Sequence, residues 1–283
     1  MYDQILYDVD DPVATITLNR PDSMNAWTDT MGREVEDALR RANDDPAVVG
    51  IVVTGAGRAF CAGADMKVLS SISGADGQTS GAGSSAGDAA RSRGSETDDF
   101  AGRFPFVMTL DKPVIAAVNG AVAGMAYPFT LCCDLRVASP DALFLTAFAQ
   151  RGLIAEWGLS WLLPRLVGPA VAMDLLLSSR RVRGEEAAAI GLVNHMVDAD
   201  DLLPFCRRYI EQLAAACSPA SMAVMKRQVY EQLHRGLGAA ELDSQRLMVE
   251  SFGRPDFEEG VRSFVEKRPP AFARLGRPDT PSP

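Results

Sequence analysis

Twice in the first half of the chain, a short apolar run passes directly into a turn made almost wholly of small residues. Gly50-Ile-Val-Val-Thr54 leads into Gly55-Ala-Gly-Arg-Ala-Phe-Cys-Ala-Gly-Ala-Asp-Met66, and Pro113-Val-Ile-Ala-Ala-Val118 leads into Asn119-Gly-Ala-Val-Ala-Gly-Met-Ala126. A brief apolar run without alternation belongs to a strand covered on both faces, the condition of a parallel sheet flanked by helices. Small residues just after such a strand let the backbone approach a ligand or another segment closely. They also leave the first amides of the next turn or helix without intrahelical partners. Either turn alone also suits tight strand–helix packing. The two together make a pair of backbone donors available to one ligand oxygen.

The rest of the chain fits an α/β core. Residues 12–18, PVATITL, alternate apolar and polar, and Ile5-Leu6-Tyr7 is similar, so two strands open the sheet. Thr28 can cap a helix whose Met31, Val35, Ala38, Leu39 and Ala42 recur at helical spacing until Asp44-Asp45-Pro46 ends it. An apolar run at Phe129–Cys133 precedes a strand at Leu135–Ala138, and Gly191–Val197 reads as another strand. From about residue 199 the pattern is only helical, over Leu202–Ala216, Ser221–Arg235, Ala239–Phe252 and Asp256–Lys267. The expected division is therefore a core over 1–198 and a helical region over 199–283. Ser70 to Asp99 interrupts the core with Gly, Ser and Asp, too poor in apolar groups to offset its ordering entropy. A mobile loop is expected there, either a tolerated surface insertion or a lid.

The 283 residues are 47% apolar and 23% charged, with a net charge of −9, which excludes a disordered chain and disfavours nucleic acid as a partner. No apolar run reaches the length of a membrane span, and the first residues lack the form of a signal peptide. The five cysteines show no zinc-site or redox-pair spacing, so reduced, packed thiols in a cytoplasm are expected. No metal-ligand cluster, P-loop or serine-nucleophile elbow is found, and no cofactor is implied by motif.

Glu156 is the acid of an otherwise apolar stretch, Gly152-Leu-Ile-Ala-Glu-Trp-Gly-Leu-Ser-Trp-Leu-Leu163. Two readings fit. A carboxylate desolvated beside Trp157 and Ile154 would have a raised pKa suited to taking and returning a proton. Alternatively, it sits in the first turn of a helix over Gly158–Val167 and answers the helix dipole. Asp65 reads locally as a helix cap, Asp134 as closing a strand turn, and His195 as a structural residue of its strand.

The segments GRAFCAGADM, VNGAVAG, GLIAEWG to LPRLVG, GLVN and PDFEEGVRSFVEKRPPAF, spread over residues 3–273, together resemble the crotonase, or enoyl-CoA hydratase/isomerase, superfamily. The resemblance implies a spiral of strand–strand–helix turns and a C-terminal helical region that builds homotrimers, often paired into hexamers. It also implies an acyl-CoA thioester substrate, with coenzyme A entering only as part of that substrate. It puts the two oxyanion amides on Ala64 and Met125; hydratases usually carry the middle of three glycines at the second of these. Met24, Asn25, Ala26, Arg58, Ala62, Asp65, Met66 and Gly124 lie where the family grips the CoA thioester, and Phe264 with Lys267 resembles the C-terminal pair that reaches the nucleotide.

The two glutamates of the hydratases fall on Pro128 and Phe148, neither of which can move a proton. The Glu156 position instead matches the acid of the peroxisomal-type Δ3,Δ2-enoyl-CoA isomerases and the aspartate nucleophile of a chlorobenzoyl-CoA dehalogenase. The resemblance thus implies double-bond isomerisation with a single acid/base. Hydration by Glu156 alone, or a CoA-binding scaffold without catalysis, are the alternatives. Trp157 and Trp161 shape the acyl end of the pocket or pack the core.

Overall fold

A computed structural model describes residues 1–65 and 98–276. Most of the loop expected over 70–99, together with Met66, lies outside the described residues. A hairpin of β1 (Ile5–Asp10) and β2 (Val13–Leu18) opens the chain, followed by α1 (Asp29–Asp44). The Thr28 hydroxyl caps α1 by accepting from the Met31 amide at 3.1 Å, and the five apolar residues expected on its inner face are all buried. Then come β3 (Gly50–Gly55), β4 (Ala59–Cys61), β5 (Val114–Val118), β6 (Ala121–Ala123), α2 (Ala126–Cys132), β7 (Leu135–Ala138) and β8 (Leu143–Leu145).

Two sheets result, a six-stranded one in the order β1-β2-β3-β5-β7-β10, the last being His195–Met196, and a four-stranded one in the order β4-β6-β8-β9, the last being Val182–Arg183. Three consecutive passes each place one strand in the large sheet and the next in the small one: β3 with β4, β5 with β6, β7 with β8. Successive passes pair in parallel in both sheets, so the chain climbs by one strand per turn. The residues alone did not disclose the small sheet. Its strands in the two small-residue turns, Ala59–Cys61 and Ala121–Ala123, are three residues long, too short for a period-two pattern to register.

The run Gly50–Gly55 is buried throughout because its two faces are covered by different layers. Ile51 and Val53, with Val114, Ala116 and Val118, pack on the side of α1. Val52, Ile115 and Ala117 face the other way, onto Leu202, Cys206 and Ile210 of the helix that opens the C-terminal half.

The remaining elements are α3 (Leu159–Val167), α4 (Pro169–Ser178), β9 (Val182–Arg183), α5 (Gly184–Ala189), β10 (His195–Met196), α6 (Leu202–Ala216), α7 (Pro219–Gln232), α8 (Leu237–Phe252) and α9 (Pro255–Glu266). The strand expected over 191–197 is cut to two residues. Leu192 and Val193 both donate their amides to the Ala187 carbonyl and belong to a turn. His195 is exposed and leans on Phe205 and Tyr209 of α6, a packing position. Asp134 does more than close a turn, since it accepts from the Val114 amide, the Lys226 ammonium and the Tyr230 hydroxyl and so ties α7 to β5. Among the described residues, no helix is long and apolar enough to cross a membrane, and no group of three or more His, Cys, Asp or Glu could hold a metal ion.

Candidate active site

The small-residue turns end side by side because β4 and β6, the strands within them, are parallel neighbours. A side chain on Gly63, at φ +100°, would meet the Ala123 carbonyl at 2.9 Å and the Gly124 Cα at 3.7 Å, so here backbone touches backbone. Ala64 forms a parallel bridge with Trp27. The Trp27 amide donates to the Gly63 carbonyl (2.7 Å) and the Asp65 amide donates to the Trp27 carbonyl (3.1 Å), which turns the Ala64 N–H to the opposite side.

Across the contact, Gly124 is left-handed at φ +48°, whereas Met125 has helical angles of −56° and −29° and begins α2. A side chain therefore fits at Met125 without strain, and replacing the usual glycine keeps the N–H. Among the described residues, neither the Ala64 nor the Met125 amide has an acceptor. Two such donors aimed at a developing oxyanion are worth about 3 kcal/mol each in a transition state.

Asn25 holds the loop in front of this pair. It is fully buried, accepts from the Arg20 amide at 2.8 Å, and donates to the carbonyls of Ala56 and Ala59 at 2.9 and 2.8 Å. Its side chain is spent inside the chain, so it supports the loop around it. The Met24 carbonyl accepts from the Ala62 amide. Arg20 reaches both the Ala26 carbonyl and, at 3.0 Å, the Asp65 carboxylate. The helix that Asp65 would cap lies outside the described residues. Met24 and Ala26 are half-buried, while Ala62 and Arg58 are exposed at the rim.

Glu156 lies two residues before Gly158, the N-cap of α3, and its carbonyl accepts from Leu159. Burial pushes its carboxyl up from the ordinary carboxylate value. The start of α3 acts in the opposite sense, favouring the charged form. The wall expected from Ile154 is absent within the chain, since that side chain is 78% exposed. The next residue, Trp157, is held left-handed at φ +56°, a conformation costing a bulky residue about 1–2 kcal/mol. Its buried indole N–H finds no acceptor of ordinary geometry, so its downward pull on the carboxyl is weak and burial dominates.

An aromatic chain links the two halves of the site. Trp157 meets Phe104 at 5.9 Å, Phe104 meets Trp27 at 5.5 Å, and the Trp27 backbone brackets Ala64. Trp161 is turned away onto His234, stacked at 4.8 Å. Pro128 and Phe148 are buried apolar groups with nothing to ionise. Phe264 and Lys267 do not join the cluster. They are exposed at the end of α9, which packs on α8. Two contributors escaped the sequence reading: Arg20 and Trp27. Only Trp27 left a local trace, as an aromatic directly after the Asn25-Ala26 pair.

The spiral of strand pairs wound through two sheets is the crotonase fold. A family model described as "Enoyl-CoA hydratase/isomerase" matches residues 8–274, and the chain belongs to that family, whose members act on acyl-CoA thioesters. It is 36% identical over 274 residues to a "Probable enoyl-CoA hydratase" of Rhodobacter capsulatus, covering 96% of this chain and 98% of that one. It is 32% identical over 275 residues to the "Crotonyl-CoA hydratase" of Syntrophomonas wolfei, with the same coverage. The solved structure of an enoyl-CoA hydratase from Bacillus anthracis superposes with a TM-score of 0.84 at 27% identity, over 96% of this chain and 99% of that one.

Proposed function

We propose that this enzyme shifts the double bond of 3-enoyl-CoA thioesters to the 2-position, with Glu156 as its single acid/base. The observation that supports this most is the pairing of a half-buried carboxyl, raised by burial, with apolar Pro128 and Phe148 at the two positions where hydratases hold acids. Glu156 takes a proton from C2 and the electron pair moves onto the thioester oxygen. The Ala64 and Met125 amides hold that oxygen. Collapse of the dienolate returns the proton from Glu156 to C4, leaving the bond between C2 and C3. A raised pKa serves both transfers, because the group must be basic enough to take the proton and acidic enough to give it back.

The residues at the mouth, Met24, Ala26, Arg58, Ala62 and Asp65, would hold the CoA arm, and no cofactor is needed beyond the CoA of the substrate. Phe264 and Lys267, exposed and apart, would reach the nucleotide in a neighbouring subunit of a homotrimer or a dimer of trimers. The apolar faces left open on α7, α8 and α9 support that assembly. The buried thiols, with Cys61 and Cys133 each pushed up to about 12 by desolvation, suit a reducing cytoplasm.

Hydration by Glu156 is the second reading, favoured by the names of the relatives. Product analysis separates the two. A 3-enoyl-CoA should be converted to its trans-2 isomer, with little 3-hydroxyacyl-CoA formed from a trans-2-enoyl-CoA; rapid hydration would reverse the assignment. Glu156→Gln should lower the rate by about a hundredfold to ten-thousandfold while CoA-ester binding persists. An undiminished rate would remove the carboxylate from the chemistry, whereas a wild type that binds both esters and turns over neither would be a CoA-binding scaffold.

A further inference from the structure

Beside Glu156 the structure holds more hydrogen-bond donors than a hydrocarbon chain can use. Arg103 is only 15% exposed in its side chain, and its guanidinium carbon lies 5.4 Å from the centre of the Trp157 ring. Of its five N–H donors, one reaches the Asp29 carboxylate at 2.7 Å; among the described residues the others have no partner. The buried indole N–H of Trp27 likewise has no acceptor, and that of Trp157 has none of ordinary geometry, its nearest being the Glu156 carboxyl.

Gly32 lets two of these donors pack against α1. It lies inside α1, where glycine costs about 1 kcal/mol relative to alanine. A methyl group there would sit 3.0 Å from the Trp27 Nε1 and 3.2 Å from the Arg103 Nη2. The helix thus carries its glycine where a guanidinium and an indole N–H converge. Buried donors of this kind are costly unless something accepts from them.

We propose that Arg103, with the indole N–H groups of Trp157 and Trp27, closes the acyl end of the site and selects substrates whose acyl group carries a carboxylate remote from the thioester. This rests on the reading of Glu156 as the acid at the reacting carbons. A guanidinium fork matches a carboxylate in two parallel bonds. The present partner, Asp29, is 63% exposed in its side chain and in the first turn of α1, a surface ion pair that contributes little and yields to an incoming anion. Phe104, packed against both Trp27 and Trp157, keeps the intervening stretch apolar.

The test uses the intact enzyme and pairs of 3-enoyl-CoA esters of equal length, one ending in a methyl group and one in a carboxylate. The ratio of kcat/KM, carboxylated over plain, should exceed one in the wild type at some length and fall about thirtyfold in Arg103→Met. Arg103→Lys should fall between them, because an ammonium cannot form the fork. Binding is read separately by titrating both esters into Glu156→Gln, alone and combined with Arg103→Met, so that a loss of selectivity appears even if Glu156 has a different chemical role. Asp29→Asn, which removes the competing carboxylate and leaves Arg103 in place, should tighten the carboxylated ester. A plain ester preferred at every length, or equal ratios in wild type and Arg103→Met, would overturn the proposal. Turnover persisting in Glu156→Gln would instead overturn the reading of the acid and leave the binding result standing.

Discussion

The spiral and the C-terminal helices obey opposite rules of burial. In the spiral, β3 is buried at every position, and α1 turns its apolar residues inward. In α7 the polarity is inverted. Lys226 and Tyr230 reach into the chain's own core to Asp134, while Met225, Val229 and Leu233, four residues apart, face outward. α9 repeats this, burying Glu259 and Ser263 and exposing Phe257, Val261 and Phe264. Helices that anchor themselves through polar groups and present apolar stripes to solvent carry the kind of surface that interfaces use. Among the described residues the spiral covers its own apolar faces, and the helices leave theirs exposed.

The largest expected effect tests whether other copies of the chain cover those stripes. Leu242 and Val249 lie seven residues apart on the same face of α8 and are 69% and 65% exposed, so changing both to Glu removes little packing within the chain. In an interface between subunits, each uncompensated carboxylate costs about 3–5 kcal/mol, or at least about a hundredfold in the association constant. The double variant should sediment as a monomer with an unaltered far-ultraviolet circular dichroism spectrum. If it sediments as the wild type does, α8 is not where copies meet.

Asn25→Ala probes the other side of the contrast, at a buried amide whose bonds all stay within the chain. It strips partners from the Arg20 amide and from the Ala56 and Ala59 carbonyls, and places alanine at φ +55°. Unsatisfied buried groups cost about 1–3 kcal/mol each, so a loss of about 3 kcal/mol or more in urea unfolding is expected, with the loop around Asn25 loosened and KM raised. A variant as stable as wild type would mean that the loop is not held by this side chain.

The same contrast explains what could be read from the residues. Thr28 with the Met31 to Ala42 stripe announced α1, and Leu202–Ala216 appeared as a helix with the observed bounds, because an amphipathic period over four turns is a strong local signal. The two turns of the site were visible as compositions, but their contact at Gly63 and Gly124 was not. It depends on β4 and β6, whose residues carry no period. Arg103 was beyond reach for a different reason. Its partners Asp29, Gly32 and Trp157 are scattered along the chain, and no spacing relates them. The helical pattern from 199 onward was likewise plain, whereas its inverted polarity became evident only once Asp134 was seen to draw in Lys226 and Tyr230.

The smallest effect compares one acid from each region. Glu156, raised by burial, favours its neutral form when folded, so its contribution is greatest below the ordinary carboxylate pKa and is lost as pH rises through the raised value. Glu259 is the reverse. Arg268 first, then Arg262 and the Ala271 amide, hold its carboxyl well below the ordinary range, so its contribution is present above the ordinary pKa and is lost as pH falls through the lowered one. At neutral pH, Glu156→Gln should therefore unfold at a slightly higher temperature than wild type even as activity disappears, and Glu259→Gln at a slightly lower one. Below the ordinary carboxylate pKa, the advantage of Glu156→Gln should vanish, whereas the deficit of Glu259→Gln should persist until the pH falls through that group's own depressed value. Should Glu156→Gln melt earlier than wild type at neutral pH, the carboxylate would be satisfied by partners instead of being held under desolvation, and it would lack the raised pKa that proton return to C4 requires.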